Sequence, residues 1–155
     1  MYHQEKKRQH RAHFLVWSLS LGGFIPFGLL AAMVVTDIDF SIPSIFTPLQ
    51  LFIIWSAVIL TFLGGIRWGL ALSVNPPNTT DLLLCVIPAI VVLFSFGFAP
   101  ETYLVLILLI FFVIHGVWDY LYLKYSIVPD WFSGVRLVVT ICVTITQLAV
   151  FLSLK

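Results

Sequence analysis

Apolar residues run through this chain in five long stretches, and polar residues are gathered into the short gaps between them. The stretches, 14–35, 48–72, 81–98, 102–123 and 134–154, are close to the ~20 residues that a helix needs to cross hydrocarbon. They predict an all-α bundle of five transmembrane helices. The gaps read as turns, since 36–46 carries Asp37, Asp39 and Pro43 without Lys or Arg, and 74–80 sets Pro76 and Pro77 beside Asn78. Ala99, Pro100 and Glu101 reverse the chain again, as does 126–133 with Pro129 and Asp130. Thr80 or Asp81 is placed to cap the third helix. The first stretch exceeds the about 7–15 residues of a secretory signal core and has no small-residue cleavage site, so it is expected to stay as the first helix behind a basic tail, 1–13.

Inside the stretches, glycine and proline mark where helices approach or bend. Pro26 frees the carbonyl of Gly22 and predicts a kink, while Gly22, Gly23 and Gly28 give a neighbour room to come close. Ala57, Thr61, Gly65 and Gly69 follow at four-residue steps along the second helix and predict a small-residue stripe with a helix packed tightly against it, from this chain or from a second copy. The third helix carries Pro88 in its first half.

Composition removes the soluble alternative. Hydrophobic residues make up 61% of the 155 residues and charged ones 10%, with a mean hydropathy of +1.08, whereas soluble domains carry about 25% charged residues. The net charge of +1 is uninformative, but its distribution is not. With the N-terminus inside, Lys6, Lys7, Arg8, Arg11, Arg67, Lys124 and Arg136 fall at the cytoplasmic end and only Lys155 outside, which predicts N-in, C-out. Trp17, Trp68, Trp118, Trp131, Tyr120, Tyr122 and Tyr125 lean to the same interface. That placement also removes glycosylation meaning from Asn78-Thr79-Thr80. Cys85 and Cys142 sit in apolar runs with no disulfide, CxxC or zinc spacing, and His3, His10 and His13 are irregularly spaced, so no metal or cofactor is expected. No nucleophile–base arrangement, glycine-rich phosphate loop or basic-aromatic nucleic-acid surface is present, so neither an enzyme nor a nucleic-acid binder is expected.

One constellation carries chemistry. Arg67 lies near the end of the second helix and Asp119 near the end of the fourth; at about 1.5 Å per residue both fall roughly 8–9 Å inside the interface. Alone, each charge costs on the order of 3 kcal/mol near a helix centre and less toward the interface. Paired, they neutralise one another, and a guanidinium fork suits a carboxylate. His115 and Tyr122 share the Asp119 face of the fourth helix by their spacing of four and three residues. Arg136 and Asp81 are placed to extend the network toward water, and Thr140, Thr144 and Gln147 to continue a polar stripe up the fifth helix. Three readings are open: an ion pair locking two helices, with snorkelling of Arg67 as its variant; a cytoplasm-facing pocket where Arg67 binds an anion; and a proton path through His115 and Asp119, which lacks ionisable residues in its outer half.

The segments FLGGIRWG (62–69), GGFIPF (22–27) and VPDWFSGVRLVVT (128–140) resemble a domain-of-unknown-function family of small multi-span membrane proteins, bacterial inner-membrane proteins and the mitochondrial transmembrane protein sixty-nine among them. The resemblance spans nearly the whole chain and implies that Gly64, Gly65, Arg67, Trp68, Gly69, Pro129, Trp131 and Arg136 are family positions. Val135 stands where the family has Leu. It implies no activity. A looser likeness to the tryptophan-rich sensory, or translocator, proteins is one of size and helix number alone.

Together these readings predict a multi-pass protein of a bacterial inner membrane, with the mitochondrial inner membrane as alternative. The leading expectation is a non-enzymatic binding or carrier protein for a small lipophilic or anionic ligand, held by Arg67 with His115, Asp119, Trp68, Trp118, Tyr122 and Arg136. The alternatives are a scaffold subunit that meets a second copy or another membrane protein through the small-residue stripe, and a proton-coupled solute transporter. Membrane lipids are the surrounding partners in every case.

Overall fold

The computed structural model describes residues 2–38, 45–123 and 128–155. Asp39, Pro43, Lys124 and Tyr125, used above for turns and orientation, lie outside the described residues. The described chain is helical, with α1 (Tyr2–Thr36), α2 (Pro48–Ser73), α3 (Thr79–Phe98), α4 (Glu101–Leu123) and α5 (Asp130–Ser153) in order.

Four helices begin earlier than hydropathy placed them, α3 by two residues, α4 by one, and α1 and α5 by more. The tail 1–13 was expected to precede the first helix, yet α1 starts at Tyr2, because Lys, Arg, Gln and Glu are good helix formers and a helix need not stop where lipid does. It is held at His13, whose Nε2 accepts from Trp17 Nε1 at 3.1 Å and whose ring meets Trp131 edge-on at 4.8 Å. At its other end Asp37 takes the left-handed conformation (φ 53°) and Ile38 N–H returns to the Met33 carbonyl. Likewise α5 starts at Asp130, directly after Pro129, rather than at 134. α1 stays helical through Pro26.

Caps fix the other starts. Thr47 and Gln50 form a capping box with Pro48 in the first turn, and Gln50 Nε2 also donates to Glu101 at 3.0 Å, joining the starts of α2 and α4. The cap of α3 is Asn78, not Thr80 or Asp81; its Oδ1 accepts from both of those backbone amides, a geometry open to a residue two positions ahead of the one and three ahead of the other.

Helices α1, α2, α4 and α5 close a four-membered ring, and α3 docks on its outside against α2 and α4. The shared core holds Phe27 edge-on to Phe52 and Phe112 at 5.9 and 5.8 Å, packed with Ile53, Leu60, Val105, Leu108 and Val143. In the middle of this apolar layer Gln147 Nε2 donates to Ser56 Oγ at 2.7 Å, both fully buried. Outward, Phe14, Leu19, Ile25, Phe62, Leu83, Leu93 and Phe98 are exposed. An apolar exterior on five helices long and apolar enough to cross a membrane marks a multi-pass membrane protein.

The close approaches differ from those expected. A Cβ built on Gly65, Gly69, Gly22 or Gly23 meets nothing within 4 Å. Of the stripe, only Ala57 is buried; Thr61, Gly65 and Gly69 face outward. The tight contact is one residue earlier, at Gly64, where a Cβ would stand 2.6 Å from the Cys85 carbonyl oxygen of α3. Gly64 belongs to the inward stripe Phe52, Ser56, Leu60, Leu63 and Arg67, and Gly65 is rotated by about 100° from it. A second close approach is Gly116 of α4 against the Thr140 side chain of α5. Gly23 acts through its carbonyl, which accepts Trp55 Nε1 at 3.1 Å and ties α1 to α2.

Candidate functional site

The ends of α2 and α4 and the start of α5 meet at one end of the bundle, where each contributes a charged side chain to the interior. Asp119 of α4 is buried, and its two oxygens are divided between two helices. Oδ2 accepts from Arg136 Nε at 2.8 Å and from Arg136 Nη2, while Oδ1 faces Arg67 Nε of α2 at 3.6 Å. The sequence reading paired Arg67 with Asp119 and sent Arg136 outward toward water. The pairing is present, but Arg136 also turns inward and makes the closer contact, its side chain 13% exposed. Two guanidiniums thus share one carboxylate, and the buried group carries one positive charge in excess. The next acid outward, Asp81, is engaged by Asn78 Nδ2 at 3.0 Å.

Arg67 is enclosed by α4. Its guanidinium carbon lies 4.2 Å from the centre of the Trp118 ring and 4.7 Å from that of Tyr122, close enough for both aromatic faces to stabilise the cation. Tyr122 is fixed in turn by Asn78 Nδ2, which donates to its hydroxyl at 3.2 Å. His115, one turn from Asp119, is fully buried with its ring 5.6 Å from Trp118. Neither of its nitrogens, nor Arg67 Nη2 or Gln147 Oε1, has a hydrogen-bond partner among the described residues.

The expected residues divide accordingly. Arg67, Asp119, Trp118, Tyr122 and Arg136 come together, and His115 adjoins them through Trp118. Trp68 does not join: the residue after Arg67 is rotated off the inward face and is 41% exposed. The polar stripe on α5 is also broken. Gln147 is buried against Ser56, Thr140 packs on Gly116, and Thr144 lines an outward groove with Tyr120 and Val113.

A cavity of about 440 Å³ lies beside the cluster, between α1, α2 and α5. Its walls include Leu19, Phe24, Phe62, Leu63 and Val139, and Arg136 is the one charged residue in them among the described residues. Arg67, His115 and Asp119 do not line it, so the cavity meets the cluster on the α5 side rather than at Arg67. Sequence reasoning missed this because a cavity arises where three helices fail to fill the space between them, and no spacing along one helix reports that.

Comparison with known proteins gives a family and nothing nearer. No curated protein and no solved structure matches the chain. The model of a family described as "Protein of unknown function (DUF3429)" matches residues 12–152, from within α1 to within α5. With that match running over nearly the whole sequence, the chain belongs to the DUF3429 family.

Proposed function

We propose that this protein binds or carries a small amphipathic anion, and that the ligand lies in the cavity between α1, α2 and α5 with its charge on Arg136. The observation that carries this reading is an apolar cavity of about 440 Å³ whose single charged wall residue, among the described residues, is a guanidinium. That volume falls within the range of about 300–1,000 Å³ usual for small-molecule sites, and apolar walls with one convergent charge are their usual construction. The positive excess supports the same sign of ligand, since an anion would neutralise a cluster that Asp119 only half compensates. Arg67, clamped by Trp118 and Tyr122, is the structural cation; Arg136 is the ligand-facing one. The reading is non-enzymatic, and it places the protein in a bacterial inner membrane with the Arg136 end cytoplasmic, on the basic residues gathered there. The likeness of its motifs to a mitochondrial protein makes the mitochondrial inner membrane the alternative.

Binding of a fluorescent amphipathic carboxylate to the detergent-purified protein tests this. Arg136→Gln is expected to weaken it at least tenfold, about 1.4 kcal/mol, and Lys155→Gln at the opposite end of the bundle to leave it unchanged. Equal affinity of wild type and Arg136→Gln would remove the reading.

A second reading, a scaffold or assembly subunit, is favoured by the outward Thr61, Gly65 and Gly69, which leave empty space where another helix can approach. It predicts a dimer or a heteromeric complex in native mass spectrometry that Gly65→Ile with Gly69→Ile dissociates; a wild-type protein that is monomeric in mild detergent and in membrane extracts would retire it. A proton-coupled transporter has less support, because Phe112, Leu108 and Val105, all buried, fill α4 between His115 and the opposite end.

A further inference from the structure

We infer that the cavity takes a single-chain anionic lipid from the bilayer leaflet at the Arg136 end, and that Asp119 is the internal competitor this lipid displaces from Arg136. The inference rests on the reading above and narrows its ligand.

Shape is the first argument. The cavity walls span 16–27 of α1, 59–66 of α2 and 132–143 of α5, so the space runs roughly 10–16 Å along the helices at about 1.5 Å per residue. It is elongated parallel to the bundle axis, the direction an acyl chain takes in a bilayer. Its charge sits toward one end: Arg136 lies six residues from the start of α5, about 9 Å in depth, within reach of the headgroup region for a long side chain.

The mouth is the second argument. Leu19 of α1 and Phe62 of α2 belong to the wall and are 73% and 62% exposed, so the cavity opens sideways between apolar side chains on the outer surface. A water-soluble anion would have to enter through the hydrocarbon, whereas a lipid already lies there. Both the opening and the lining select an acyl chain, and the terminal guanidinium selects a carboxylate or phosphate head.

Charge is the third. Arg136 spends its Nε and Nη2 on Asp119 Oδ2, the same fork a lipid headgroup would engage. When Arg136 turns to the lipid, Asp119 retains Arg67 on its other oxygen, so the buried carboxylate is never left bare. The second guanidinium makes the exchange possible, and the loaded cluster is neutral where the empty one is positive.

The test compares three probes on the full-length protein in nonionic detergent: a fluorescent long-chain fatty acid, its methyl ester, and butyrate as a competitor. The acid is expected to bind at least tenfold more tightly than the ester, and butyrate not to displace it. Val139→Phe, which fills the cavity and touches no charge, is expected to abolish acid binding. The double variant Arg67→Gln/Asp119→Asn removes one cation and one carboxylate together, and is expected to tighten acid binding at least fivefold with ester binding unchanged. Displacement by butyrate overturns the lipid assignment while the anion reading stands, whereas binding that survives Val139→Phe puts the ligand outside the cavity and overturns both. Acid binding that the double variant does not tighten overturns the competitor role of Asp119. Acid and ester binding that are equal to each other and indifferent to Arg136→Gln would remove both the inference and the reading beneath it.

Discussion

Asp119→Ala is expected to destabilise the bundle by about 3–5 kcal/mol, the usual cost of breaking a buried pair by removing one partner. The cost comes from what remains, because Arg67 and Arg136 both lose their counter-charge and neither has a second acid at ion-pair distance among the described residues. Arg67→Gln is expected to cost less, since Asp119 keeps the closer Arg136 fork and Trp118 and Tyr122 lose only a cation. Reversible unfolding in mixed micelles, followed by tryptophan fluorescence, measures both. A loss below about 1 kcal/mol for Asp119→Ala, the level of an exposed pair, would mean that the two arginines reach solvent and that the cluster is not a buried site.

Gly64→Ala is expected to cost about 1–3 kcal/mol, as overpacking does, while Gly65→Ala is neutral or stabilising by up to about 1 kcal/mol from helix propensity. The two positions are neighbours in sequence and opposites in environment. A methyl on Gly64 meets the Cys85 carbonyl at 2.6 Å, and backbone cannot rotate aside as a side chain can, so α3 must move off α2. A methyl on Gly65 meets open space. The same unfolding assay decides, and equal effects at the two glycines would contradict the assigned face of α2.

The five helices were legible because each is a run of apolar residues long enough to cross hydrocarbon, a property read without knowing any neighbour. The Arg67–Asp119 pair was legible for a similar reason: two isolated charges at one depth in lipid have few partners other than each other. The partnership of Arg136 was not, because it depends on how α5 is turned about its own axis, and its polar residues point different ways: Gln147 inward to Ser56, Thr140 to Gly116 and Thr144 into an outward groove. The adjacent glycines show the same limit. The regular four-residue steps through Gly65 look like a packing stripe, yet the inward face is set by Phe52, Leu60, Leu63 and Arg67, which place Gly64 inside. Hydropathy also ended the first helix where lipid ends, although the basic segment before it continues the same hydrogen-bond ladder.

The Gln147–Ser56 hydrogen bond has a consequence for how α5 is seated. An interior made of Val, Leu and Ile accepts many vertical offsets between helices with small differences in energy, much as a seam of identical teeth engages at every notch. One amide placed among them removes that degeneracy. If α5 slipped by a turn along α2, Gln147 would face Ile53 or Leu60, both fully buried hydrocarbon, and its donor would have nowhere to go. A single polar pair toward the Lys155 end thus acts as a detent, selecting one offset out of several and with it the height at which Arg136 arrives beside Asp119.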